Sequence, residues 1–429
     1  MSDAANPTPA APLQPGASRY GVLALLFVVY TFNFIDRQII GILAAPIQDE
    51  LGIDDAQLGL LGGMAFALFY TGLGIPVAWL ADRWNRTWIM TIALSLWSAF
   101  TAACGFATNY TQLFLARMGV GVGEAGGVAP AYSLISDYFP PKERARALAL
   151  YSFGIPVGSA AGIALGGIVA SLVDWRVAFI SVGIAGLAVA PIFRLFVREP
   201  KRGQYDAPRA ADAPRASLSD ALSTIGRKPS FWLLSFGASC SSIMGYGSFF
   251  WIPTFLRRSF DFDLQQAAFF YSAILLIGGV IGVWLGGVLG DKLGQRSRGM
   301  FALVPAAAWL VALPFYALGL LSPSPVAAFF LFLAPTALGL VWLGPVIAAV
   351  QHLAPAHMRT TASASFLFIN NLIGIGVGTW ILGVLSVALT DRFGEESLRY
   401  SILAGTAFYL LASLFALIAS RTLPRDWQD

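Results

Sequence analysis

Apolar runs of about 20 residues or more recur along this chain near 20–44, 57–81, 88–108, 111–136, 145–171 and 176–197. They recur near 230–256, 266–290, 299–320, 324–350, 360–389 and 400–420. A helix rises about 1.5 Å per residue, so each run fits a hydrocarbon layer about 30 Å thick. The pattern predicts an all-α membrane protein of twelve transmembrane helices in two six-helix bundles, at 19–198 and 230–421. The one long polar interval, 199–229, reads as a cytoplasmic linker whose later part can form a short surface helix. Residues 1–18, rich in Pro and Ala, read as a disordered tail, and 422–429 as a C-terminal tail.

Composition agrees. Hydrophobic residues make up 57% and charged residues 12%, where soluble proteins carry about 25% charged; mean hydropathy is +0.70. The net charge of +4 does not point to nucleic acid, because the basic residues are dispersed in short loops. With the N-terminus inside, 20 of the 27 Lys and Arg fall on the cytoplasmic side, which predicts an inner (plasma) membrane protein with both termini cytoplasmic. The start of the chain lacks the charged segment of a signal peptide, and its first apolar run is too long for one. Cys104 and Cys240 lie in apolar runs and imply no disulfide. With only His352 and His357, a histidine-based metal site is not expected, nor is any cofactor.

The two halves repeat each other. "WLADRWNR" follows the second run and "GVLGDKLGQR" the eighth, with Asp82 and Asp291 209 positions apart; Asp54 and Asp263 keep the same offset, and Arg144 pairs with Arg359. Asp82, Arg83 and Arg86, and their counterparts Asp291, Lys292 and Arg296, are expected at tight cytoplasmic turns. There an Asp can accept hydrogen bonds from a neighbouring helix N-terminus and the bases can meet carboxylates. Asp137 and Arg144 are expected to complete the first cluster, with His352 replacing the acid in the second. Plain cytoplasmic anchoring of positive charge is the simpler reading, but it does not call for an Asp at the same place in both halves.

Four charges interrupt the oil of the first half: Asp36 and Arg37 in "TFNFIDRQII", and Arg117 and Glu124 in "LFLARMGVGVGEAGG". A charge at the bilayer centre costs about 2.5–3.5 kcal/mol on insertion scales, so these four must face one another or a watery cavity. Arg117 and Glu124, seven apart, share one helix face. Asp36 is the expected proton-coupling acid, with Glu124 beside it. Burial penalises its charge and a nearby Arg favours it, so an anion that engages Arg37 or Arg117 would favour proton uptake. A purely structural ion-pair network, or an Asp36 that reaches the outer surface, stays open as an alternative. Gly154, Gly158, Gly162 and Gly166 recur every fourth residue, which suits close helix packing or gating, and Pro156 predicts a bend.

The second half is different, with no charged residue from Gly299 through Met358. Tyr246, Phe249, Phe250, Trp251, Trp342, Phe366, Asn370 and Asn371 are its candidate cavity residues. Ordinary packing is the alternative for the rings, and interhelical hydrogen bonding for the two amides. Charge on one wall and oil on the other suits an amphipathic ligand.

The paired loops resemble the G-x-x-x-D-R-x-G-R-R signature of the major facilitator superfamily. The second copy carries Gly287, Asp291 and Gly294, and the first departs with Ala78 and Asn85. "DWRVAF" at 174–179 resembles that superfamily's entry to helix 6, and the likeness extends over about 19–421. "FNFIDR", "GVGEAG" and "YSFGIPVGS" resemble spinster-type facilitators, with "IPVGS" distinguishing them from proton-coupled organic-anion symporters that share the other two. The resemblance implies a major facilitator fold and alternating access. It also implies transport of lysophospholipid or sphingosine-1-phosphate, with the family's functional acid on Asp36 and its helix 4 Arg and Glu on Arg117 and Glu124. Expected partners are the lipid substrate, protons and membrane lipids, with no nucleic acid, and the chain is expected to act as a monomer. A proton-coupled symporter of a small organic anion such as a sugar acid is the runner-up. An enzyme is not expected, because no nucleophile is paired with a base, and no G-x-x-x-x-G-K loop is present for nucleotide.

Overall fold

The computed structural model describes residues 18–205, 218–294, 296–355 and 358–428. Most of the N-terminal tail, the middle of the linker and His357 lie outside the described residues, as does the side chain of Asp291.

The first half comprises α1 (Arg19–Ile42), a short α2 (Ala44–Leu51), α3 (Asp55–Gly62) continuing into α4 (Met64–Ala81), and α5 (Arg86–Cys104). It goes on with α6 (Tyr110–Glu124) and α7 (Val128–Tyr138), α8 (Pro141–Ser152) and α9 (Gly154–Leu172), and α10 (Trp175–Phe196). A linker helix, α11 (Leu218–Gly226), precedes the second half. That half comprises α12 (Pro229–Phe260), α13 (Leu264–Gly294), α14 (Met300–Leu321), α15 (Pro325–Leu338) with α16 (Leu343–Gln351), and α17 (Arg359–Phe393). It ends in α18 (Ser397–Gly405) with α19 (Ala407–Asp426). Among the described residues, nine helical stretches are long and apolar enough to cross a membrane, and the last of them, Thr361–Asp426, holds two crossings. The pairs α6–α7 and the serine-rich α12 complete twelve. The protein is therefore an integral membrane protein, and its exposed Leu, Ile, Phe and Trp side chains are the surface that lipid covers.

Local chemistry explains the breaks and the starts. Proline clashes with the carbonyl four residues back; from Pro156 that residue is Ser152, where α8 ends. The repeat pair Asp54 and Asp263 start α3 and α13. Each accepts from the backbone N–H three residues on (2.7 Å) and donates its own N–H to that Gln side chain (3.1 Å), a capping box in both halves. Asn85, where the signature has Gly, needs no glycine: its φ is −68° and its side chain caps α5 by accepting from Trp88 N. In "DWRVAF", Asp174 caps α10, while the Trp175 indole (2.7 Å) and Arg176 (2.5 Å) both reach Glu50. The Glu50 carboxyl, outside the crossing segments, is held below its usual range by those two donors.

The glycine stripe of α9 packs on α1. A Cβ at Gly158 or Gly162 would press on the Thr31 or Ile35 carbonyl, so helix backbones are in contact there as the four-residue spacing predicts.

At the Arg86 end, the structure redraws the expected cluster. Arg86 is buried and bonds Asp137 (2.5 Å), Ser133 (2.7 Å) and Glu199 (2.7 Å). Glu199 also accepts from Thr87 N at the start of α5 (3.1 Å). The carboxylate that serves the α5 N-terminus is thus Glu199, from the linker, and not Asp82. Asp82 is exposed and contributes its backbone carbonyl to Arg202 (2.7 Å). Arg83 lies over the Trp79 ring (3.9 Å) and Arg144 donates to the Phe139 carbonyl (3.1 Å). Arg296 is exposed, and His352 stacks on Trp427 with ring centroids 4.4 Å apart.

Candidate transport site between the halves

The two halves meet mainly through α9 with α13, α3 and the start of α4 with α17, and α1 with α12, whereas α7, α8 and α16 pack within their own halves. The meeting is tight at the Asp55 end. A Cβ at Gly59 would press on the Thr379 carbonyl, and one at Gly63 on that of Ile375; Thr379 Oγ1 donates to the Gly59 carbonyl across the interface (2.8 Å). Asp55 closes this end. It accepts two bonds from Arg258 (both 2.8 Å), one from Gln48 (2.7 Å) and one from Ser386 (2.6 Å). Four elements, α2, α3, α12 and α17, converge on that one carboxylate.

Below this closure lies a narrow cavity of about 20 Å³. Arg37, Gln38, Phe66 and Arg117 line it from the first half, with Gly62 at the closure, and Tyr246, Phe250, Ile375 and Thr379 line it from the second. Arg37 Nε bonds Glu124 Oε2 at 2.6 Å, and its guanidinium sits against the rings of Tyr70 (4.4 Å), Phe66 (4.9 Å) and Phe34 (5.2 Å). Aromatic faces attract a cation, more strongly when it is desolvated. Phe66 is shared, with Arg117 5.7 Å from the same ring. Arg117 Nη1 donates to the main-chain carbonyl of Asp36 (3.1 Å). Asp36, Arg117 and Glu124 are each 1% exposed or less. Gly121 and Gly123 let α6 approach closely enough, since a Cβ there would press on the backbones of Phe66 and Trp97.

The four sequence-predicted charges therefore come together, with a pairing the spacing does not specify: Arg37 with Glu124, and Arg117 with the backbone of Asp36. Tyr246 lines the cavity as expected. Trp251 does not; it is fully buried and donates to the Thr379 carbonyl within its own half (2.8 Å), and its neighbour Phe250 faces the cavity. Asn370 accepts from Ser242 (2.9 Å) and reaches Asn371 (3.4 Å), so this amide pair ties α12 to α17. Sequence reasoning passed over Phe66, Tyr70, Gln38, Thr379 and the Asp55–Arg258 closure.

Two helical bundles holding a charged cavity between them, closed at one end, define a secondary transporter. The chain matches the profile of the Major Facilitator Superfamily over residues 26–379 and belongs to that superfamily. Within it, the chain resembles spinster proteins. It is 32% identical to a bacterial homologue of the human lysosomal transporter Spinster, solved in an inward-facing, unoccupied conformation (TM-score 0.87, covering 97% of this chain and all of that one). It is 31% identical to protein spinster homolog 1 of Homo sapiens over 72% of this chain, and spans 61% of that longer protein. It is also 33% identical to an MFS-type efflux pump of Mycolicibacterium smegmatis, over 95% of this chain and 93% of that one.

Proposed function

We propose that this protein is a proton-coupled secondary transporter that moves an amphipathic lipid, a lysophospholipid or a sphingosine-1-phosphate-like molecule, by alternating access, with Asp36 as its protonation switch. The observation that carries this reading is the cavity between the halves, with two guanidinium groups on one wall and Phe66, Phe250 and Ile375 as apolar lining. An anionic head that takes Arg37 displaces Glu124 from its ion pair, and one that takes Arg117 acts on the backbone of Asp36. A buried carboxylate stripped of its partner is costly, and proton uptake removes that cost. The excess of Lys and Arg at the Arg86 end makes that end and both termini cytoplasmic, in an inner membrane. In that orientation the Asp55 closure faces outward, and resemblance to an efflux pump supports loading from the inside.

Flux in proteoliposomes under an imposed pH gradient tests the substrate class, with lysophosphatidylcholine, sphingosine-1-phosphate and gluconate as probes. Lysolipid or sphingolipid flux is expected, reduced at least about tenfold by Arg117→Ala through loss of a charge-assisted contact. Gluconate flux without lipid flux would overturn the lipid assignment.

A further inference from the structure

The end of the second half opposite the Asp55 closure holds a larger cavity, of about 600 Å³, apart from the transport site. Its floor is α13 at Gly294, its apolar walls are Phe301 of α14 and Trp427 of the C-terminal tail, and Arg296, Ser297 and Arg298 stand around it. The tail is fixed there. Gln428 N donates to the His352 carbonyl just after α16 (2.7 Å), and the Trp427 ring stacks on His352 at 4.4 Å and meets Phe301 at 5.3 Å. Arg298 approaches the same indole at 5.7 Å. Arg296 is exposed, and neither its guanidinium nor Trp427 Nε1 has a hydrogen-bond or ion-pair partner among the described residues. Of the described residues lining the cavity none is a carboxylate, and the stretch 291–298, "DKLGQRSR", carries three bases against one acid. The chemistry is that of an anion site. Along α13, Trp284 and Gly287 lie on the side of the helix that also carries Gly294. Trp284 is 61% exposed, and a Cβ at Gly287 would meet nothing within 4 Å. The lipid-facing surface of α13 therefore runs up to the basic cavity, where Trp427 has the ring and the N–H that suit the boundary between oil and water.

We infer that this cavity binds the head group of a bilayer phospholipid with a net negative charge, such as phosphatidylglycerol, as a resident lipid distinct from the transported cargo. Its phosphate takes the Arg296 guanidinium, with the Ser297 hydroxyl and Trp427 Nε1 as further donors, and its acyl chains lie along Gly287 and Trp284. Guanidinium and phosphate match in shape as well as charge, because two parallel N–H groups meet two oxygens. Basic pockets between crossing helices at the membrane surface take anionic head groups in this way. By engaging Trp427, the lipid also ties the C-terminal tail to α13 and α14. The site stands whatever cargo the transport cavity takes and however that cargo is coupled to protons.

The test is equilibrium binding of phosphatidylglycerol carrying a fluorophore on one acyl chain to the purified full-length protein in neutral detergent, with unlabelled competitors. One saturable site is expected, emptied by unlabelled phosphatidylglycerol but not by phosphatidylcholine or lysophosphatidylcholine. Arg296→Ala should weaken binding at least about tenfold through loss of a charge-assisted contact. Trp427→Ala should weaken it as well, and Trp427→Phe, which keeps the apolar wall, should retain most of it. Arg117→Ala, in the transport site, should bind the lipid as wild type does. Binding that is unchanged in both Arg296→Ala and Trp427→Ala, or that is lost in Arg117→Ala, would overturn the site. Displacement by glycerol 3-phosphate as effective as that by phosphatidylglycerol would show a site for free phosphate esters and overturn the lipid.

Discussion

Replacing Asp55 with Ala is expected to shift the resting protein about thirtyfold toward opening at the Asp55 end. The carboxylate accepts four hydrogen bonds, and three cross between halves, two from Arg258 and one from Ser386. Hydrogen bonds to a charged group contribute about 1.5–3 kcal/mol. A net loss of about 2 kcal/mol, after Arg258 rehydrates in the opened state, corresponds to that thirtyfold change. Spin labels at positions 49 and 395, exposed on opposite halves around this vestibule, report the opening. Wild type should give one short distance, and Asp55→Ala a dominant longer one. Exchanging the charges, Asp55→Arg with Arg258→Asp, should recover part of the short population. An unchanged distance distribution in Asp55→Ala would show that the glycine packing of α3 on α17 closes this end without help.

Arg86→Ala is expected to be the most damaging single substitution for stability. The guanidinium is 1% exposed and joins α5 to Asp137 and Ser133 of α7 and to Glu199 of the linker. Its removal takes the cation from Asp137 and leaves Glu199 with Arg202 at 3.9 Å. Breaking a buried pair from one side costs about 3–5 kcal/mol, which for a bundle of this size lowers Tm by about 10 °C. Arg86→Lys should recover only part, because an ammonium lacks the planar fork that reaches three partners. Glu199→Ala should cost less, since that carboxylate is 21% exposed and Arg86 keeps Asp137. Thermal unfolding in detergent measures all three, and an Arg86→Ala Tm equal to wild type would show that the cluster contributes nothing to stability.

The sequence makes the crossing segments legible because a membrane admits few alternatives: backbone polar groups must be satisfied within a helix, so an apolar run of sufficient length is a helix. The same logic exposes Asp36, Arg37, Arg117 and Glu124, since each is costly where it stands. Which charges pair is not legible, because that depends on the rotation of α1 against α6. Phe66 and Tyr70 are invisible for a different reason. Each is one ring among 32 Phe and 13 Tyr, and only the guanidinium brought against them distinguishes them. Trp251 and Phe250 show how fine the margin is, since one position along a helix turns the side chain by about 100° and exchanges cavity for core. Asp54 and Asp55 form an acidic doublet whose members part company, the first capping its helix and the second closing the interface. Only Asp54 has a counterpart in the repeat, Asp263, and Asp55 is met in the second half by Leu264. Glu199 was hidden by its place in a linker that returns over the Arg86 end.

The account's central claim is that proton binding at Asp36 drives movement of cargo. Its most direct test compares wild type and Asp36→Asn in proteoliposomes, following lysophosphatidylcholine first with an imposed pH gradient and then in exchange without one. The account predicts that Asp36→Asn still exchanges the lipid but no longer accumulates it in response to the gradient. Accumulation by Asp36→Asn that follows the pH gradient as steeply as wild type would contradict it.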